Sequence, residues 1–157
     1  MNEPWVKLLA AALGTVGFCV FFYVHPRRLL PATLGGVISC AIYLLIDHYW
    51  GGILLPNIVA AAVAAVYAEI CARITRVPVT VYLFPGVISL APGSSLYYTM
   101  VNLTQENYAI ALYYGRVALQ VSLGIAGGIA VGSMLGIFLR SLRRPEKNHG
   151  SNGAKTR

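Results

Sequence analysis

The sequence predicts an all-α integral membrane protein with five transmembrane helices, the fourth of them broken at Pro-Gly motifs. Three observations predict it. Hydrophobic residues make up 57% of the chain, charged residues 11%, and mean hydropathy is +0.68, which is not the composition of a soluble globular domain. Apolar stretches of about 20 residues, the length that crosses a hydrocarbon core, alternate with short basic, aromatic or polar connections. The stretch from Val77 to Leu103 is equally apolar, yet it carries Pro78, Pro85 and Pro92, with Gly86 and Gly93 following the last two. Residues 1–140 are expected to form the membrane domain and 141–157 a basic, poorly ordered cytoplasmic tail.

The first span is predicted from about Trp5 to Val24, with Pro4 suited to its first turn. The opening Met1 to Trp5 carries an acid where a cleavable leader has basic residues, so this segment is expected to stay in the membrane. His25, Pro26, Arg27 and Arg28 make a tight basic connection to the second span, Leu29 to Ile46, in which Gly35, Gly36 and Ser39 admit a close neighbour. Asp47 to Gly52 is the next turn, with aromatic residues suited to an interfacial belt. The third span, about Ile53 to Ile74, is rich in alanine, and Glu69 and Arg73 can pair on one face. The broken fourth span ends in the polar run Thr104, Gln105, Glu106 and Asn107, and a long fifth helix runs from about Tyr108 to Leu139.

Charge sets the orientation. Arg27, Arg28, Arg73, Arg76 and the tail fall on one side; Glu3, Asp47 and Glu106 against Lys7 and Arg116 fall on the other. The excess of basic residues marks the cytoplasmic side, so the C-terminus is expected inside and the N-terminus outside. Half of the basic residues lie between Arg140 and Arg157, so the net charge of +7 reads as membrane-flanking charge and no nucleic-acid partner is expected. Cys19, Cys40 and Cys71 are isolated within apolar segments, which argues against disulfides or a zinc site. His25 and His48 have no second ligand at metal spacing, and no metal or cofactor is expected.

The broken span is where function is expected. Each proline lacks a backbone N–H and pushes the residue before it, Val77, Phe84 or Ala91, away from helical dihedrals. Hydrocarbon cannot satisfy loose peptide groups, so such a break must be packed inside protein or line a wet cavity. After Pro92 and Gly93 the helix is expected to resume with Ser94 or Ser95 at its N-cap. Free N–H groups and the positive end of the helix dipole favour an anion, and a carboxylate is the natural ligand there. Gly93, Ser94 and Ser95 are therefore the expected carboxylate site. Ser95, Thr99, Asn102 and Glu106 share a helical face, so Thr99 and Asn102 are expected to line a path leading outward. The competing reading is a simple kink whose hydroxyls bond back to their own turn. Three prolines at seven-residue spacing favour the substrate-related break.

Arg116 has two open roles, snorkelling beside Tyr113 and Tyr114 or partnering substrate or Glu106. Gly124, Gly128, Gly132 and Gly136 form a ridge that lets another helix approach backbone to backbone, with the partner helix in this chain or another. Glu69 is expected to be structural through Arg73. There is no nucleophile elbow, phosphate loop or zinc-protease helix motif, and the chain is expected not to be an enzyme.

Pro78, Pro85-Gly86, Leu90-Ala91-Pro92-Gly93 and Tyr97 together resemble the signature of the threonine/serine exporter family, in its C-terminal five-helix domain. In some bacteria that domain is a separate small membrane subunit. The resemblance in length, span count and position of the Pro-Gly segment covers most of the chain, and 78 to about 100 is the motif-specific part. Ser89 stands about where members often carry another proline. The resemblance implies half of an exporter whose other half is a larger membrane subunit carrying the family's N-terminal domain, and self-association is a further expectation. It implies outward transport of small amino acids or carboxylates, such as threonine, serine or succinate, across the bacterial inner membrane. The alternative is a non-transporting accessory or assembly subunit.

Overall fold

The computed structural model describes residues 4–142. They form six helices and, within that range, no strand: α1 (Pro4–Phe21), α2 (Pro26–Trp50), α3 (Leu54–Thr75), α4 (Thr80–Ile88), α5 (Gly93–Thr104) and α6 (Tyr108–Leu142). By length and composition Arg28–Tyr49, Leu54–Thr75 and Tyr108–Gly136 can each cross a membrane, whereas the apolar helix Trp5–Phe21 is shorter. The predicted fourth span is two short helices. The final helix runs three residues past its predicted end, so the first two residues of the expected tail are helical and the rest of 141–157 lies outside the described residues.

Three helices stop by the same device. Tyr23, Arg76 and Glu106 take positive φ just past the ends of α1, α3 and α5. The next residue then reaches back five positions: Val24 to the Cys19 carbonyl, Val77 to Ala72 and Asn107 to Asn102, at 2.9–3.1 Å. These bonds close the last turns, whose carbonyls would otherwise be orphaned. At the end of α2 glycine supplies the same freedom, with Gly51 at φ 61° and Gly52 at φ 85°.

The alanines of α3 make it the centre of the bundle. Ala60, Ala61, Ala64, Ala65, Ala68 and Ala72 are buried, and α2, α4 and α6 all pack on this helix. Lipid is as apolar as a side chain, so close van der Waals contact, not the hydrophobic effect, holds such helices together. The α6 glycines lie on α3. A Cβ added at Gly128 would meet the Ile58 carbonyl and the Ala61 Cβ, and one at Gly132 would meet the Ala65 Cβ at 2.7 Å. The ridge thus has its partner within the same chain. At its far end Arg73 donates to the Gly136 carbonyl at 2.7 Å and to Glu69 at 3.1 Å, tying α3 to α6.

Of the three prolines, one interrupts a helix. Pro78 stands in the turn between α3 and α4, and Pro85 with Gly86 lies inside α4, contrary to the expected break there. The reason is burial. Pro85 removes one backbone bond from α4, and Pro85 and Gly86 are both buried, with Gly86 placed so that a Cβ would lie 3.7 Å from the Ala64 Cβ. α4 packs on α1, α2 and α3, and this packing holds the helix together through its proline. The gap falls at Ser89–Pro92.

Ser39 on α2 secures the gap. Its hydroxyl donates to the Gly86 carbonyl at 2.7 Å, while the Ser89 hydroxyl lies 3.4 Å from the same oxygen. Ser39→Ala is expected to destabilise the fold by about 1–2 kcal/mol, the cost of leaving a buried carbonyl poorly paired. Thermal unfolding of the purified protein in detergent, compared with Thr33→Ala, whose hydroxyl bonds only within its own helix, measures it.

Candidate functional site

At the gap the chain leaves backbone groups unpaired beside an apolar bundle. Leu90 is buried against Ala60 and Ala61 and anchors the loop in the core. The Ala91 N–H bonds to the Ile88 carbonyl, the Gly93 N–H to the Ala91 carbonyl, and the Leu96 N–H to the Pro92 carbonyl. The N–H groups of Ser94 and Ser95 have no backbone acceptor among the described residues. These are the free donors of the first turn of α5.

The N-cap of that turn is Pro92, with φ −78° and ψ 49° and no side-chain cap bond, which corrects the expectation of a serine cap. Proline carries the φ that a helix start needs and has no N–H to orphan. The serines therefore sit inside the turn with their N–H groups and hydroxyls both available. Gly93 is exposed and opens the helix.

A cavity of about 520 Å³ lies against the gap, within the range of small-molecule sites. Residues Ile88 to Pro92, Ser94 and Ser95 form one wall. The others come from α1 through Lys7 and Thr15, from α2 through Cys40 and Tyr43, from Ile53 and from Asn57 of α3, and from α6 through Val117 and Val121. Lys7 is the one charged residue in the lining and is exposed. The contributing segments share a feature. They lie toward the N-terminal end of α1, the C-terminal end of α2 and the N-terminal ends of α3 and α6, which is one end of an antiparallel bundle. The other end is closed by Ala68, Ala72 and Tyr82, whose hydroxyl lies 3.0 Å from that of Thr75.

The stripe read from the sequence divides. Thr99 does not line this cavity; with Arg116 it lines a second hollow of about 440 Å³ between α5 and α6. The Thr99 hydroxyl donates to the Ser95 carbonyl at 2.7 Å and the Asn102 amide to the Tyr98 carbonyl at 2.7 Å, the back-bonding expected of a plain helix. Arg116 is exposed and forms no ion pair with Glu106 among the described residues. Tyr98 stacks on Tyr114, tying α5 to α6 beside it. A shared helical face does not bring these side chains to one hollow, because α6 covers the outer part of α5.

Asn57 is the residue that the sequence reading missed. It is 2% exposed, lines the cavity and donates its Nδ2 to the Ile53 carbonyl at 2.6 Å. Its signal was in plain view, since it is the lone polar side chain between Leu54 and Val66 of an apolar span.

Comparison with known proteins bears on the whole bundle. The family model described as "Threonine/Serine exporter, ThrE" matches residues 7–135. The chain is 24% identical over 146 residues to the protein named threonine/serine exporter of Corynebacterium glutamicum, a match that covers 93% of this chain and 29% of that protein. The chain thus spans less than a third of the length of this relative. No solved structure matches it. With a family match across most of its length, this chain is a member of the threonine/serine exporter family.

Proposed function

We propose that this chain is a subunit of a secondary transporter that carries a small amino acid or carboxylate, such as threonine, serine or succinate, out across the bacterial inner membrane. Its path would be the cavity beside the gap. The observation that carries the reading is that Ser94 and Ser95, whose N–H groups have no backbone acceptor among the described residues, line a hollow of about 520 Å³ in an otherwise apolar bundle. Backbone donors at a helix start attract a carboxylate. In this reading α4, the gap and α5 together make the fourth of five spans, with the N-terminus outside and the C-terminus in the cytoplasm, as the arginines at 27, 28, 73 and 76 favour. The cavity then faces outward. The partner would be a larger membrane subunit carrying the rest of the family's sequence, because the relative has most of its length outside the match.

Vesicles containing this chain with and without that partner, assayed for efflux of L-threonine, L-serine and succinate, test the proposal. Carriage is expected when both are present, and Ser94→Ala with Ser95→Ala should weaken it about 5- to 20-fold, the loss of two ordinary hydroxyl bonds worth about 1–2 kcal/mol together while the backbone donors remain. The second reading, a non-transporting assembly subunit, is favoured by α5, none of whose residues is buried and which packs chiefly on α6. It predicts unchanged carriage in the double variant, an outcome that would remove the carboxylate site.

A further inference from the structure

The first turn of α3 brings to the cavity a group that a carboxylate does not use. Asn57 is 98% shielded, and one of the two N–H groups of its Nδ2 donates to the Ile53 carbonyl. That bond fixes which way the amide points, because only the nitrogen donates. It leaves Oδ1 without a hydrogen-bond partner among the described residues, on the wall of the same cavity as Ser94 and Ser95. α6 passes close beside it: a Cβ built at Gly124 would lie 3.0 Å from the Asn57 Cβ. A carboxylate oxygen cannot satisfy Oδ1, since both accept. Only a donor can.

We propose that Asn57 sets the specificity of this cavity by accepting a hydrogen bond from an ammonium or hydroxyl group that the ligand carries beside its carboxylate. The proposal rests on the carboxylate reading of the Ser94 and Ser95 terminus and narrows it. Amino and hydroxy acids fit both walls, whereas succinate and other acids without such a donor offer Oδ1 nothing in exchange for its water. A site with an acceptor that the protein leaves open to the ligand rejects the analogue that lacks the donor more strongly than an apolar site rejects an added group.

Four acids on one carbon skeleton separate the donors: L-threonine, L-2-aminobutyrate, 3-hydroxybutyrate and butyrate. Their equilibrium binding is to be measured on the detergent-purified protein in its native assembly, beside Asn57→Leu and Asn57→Ser. The wild-type protein is expected to prefer threonine and at least one single-donor acid over butyrate by about 10- to 100-fold, the effect of a hydrogen bond to a polar or charged donor. In Asn57→Leu that preference should fall to about 2-fold or less while butyrate binds as before, a pattern that a merely structural asparagine does not produce. Asn57→Ser, smaller and easier to accommodate, should also lose most of the preference, and it decides the matter if the leucine variant does not fold. An unchanged preference in either folded variant, or a wild-type protein indifferent to the donor, overturns the proposal. Wild-type protein that binds none of these acids, nor succinate, overturns instead the carboxylate reading beneath it.

Discussion

Replacing Gly128 by leucine is expected to leave little folded protein, whereas the same change at Gly127, the adjacent position, should be nearly silent. A Cβ at Gly128 points at the Ile58 carbonyl and the Ala61 side chain, both fixed by the backbone of α3. Neither can move without pushing the two helices apart along their whole contact, which includes Gly124 and Gly132. Overpacking in a yielding core costs about 1–3 kcal/mol, and the rigid backbone on both sides here puts the expected cost at or above the top of that range. Gly127 is exposed, with nothing within 4 Å of an added Cβ. The monodisperse fraction on size exclusion after detergent extraction reads the difference, and equal yields from the two variants would contradict the packing of α3 on α6.

The second large effect concerns transport rather than folding. Ser95→Phe places a ring in the cavity beside the gap, where Ser95 is half-buried and space is open. Because the hollow is not packed core, folded yield should stay within about 2-fold of wild type. On the proposed function, carriage of L-threonine by the complete assembly should fall by about 30-fold or more, since a ring on this wall covers the Ser94 and Ser95 N–H groups that the carboxylate would use. The matched substitution Leu103→Phe, on the separate hollow between α5 and α6, should leave carriage near the wild-type rate. Equal losses at both positions would show that the two hollows form one path.

The contrast between these variants reflects what the sequence made legible. Hydropathy placed the long helices within a few residues, because apolar length is a property of each segment alone. The glycine ridge was equally plain, but not its partner: small residues every fourth position state that some helix comes close, and the matching alanines at 61 and 65 identify α3 only once the fold is seen. Proline was read too literally at position 85. Whether a proline breaks a helix depends on the packing around it, and Pro85 is buried where α4 meets α2 and α3.

The site was half visible for the same reason. Ser94 and Ser95 follow from local chemistry, a helix start after Pro-Gly. Thr99 and Asn102 were grouped with them by helical spacing and Arg116 was added for its charge near the membrane, but α6 packs over the outer part of α5 and gives Thr99 and Arg116 a hollow of their own. Asn57 reaches the cavity through the crossing of α3, which no local pattern encodes. A lone asparagine in an alanine-rich span was still a signal of cost that needed a reason.

The central claim is that the interrupted span borders an aqueous route used by a carboxylate. In protein whose own Cys19, Cys40 and Cys71 are replaced, Ser94→Cys can be challenged in intact cells with a membrane-impermeant thiol reagent, with and without L-threonine, L-serine or succinate. The account predicts labelling from outside that at least one of these acids slows several-fold. A Ser94→Cys that stays unlabelled in folded protein, or is labelled at the same rate in the presence of all three, would contradict it.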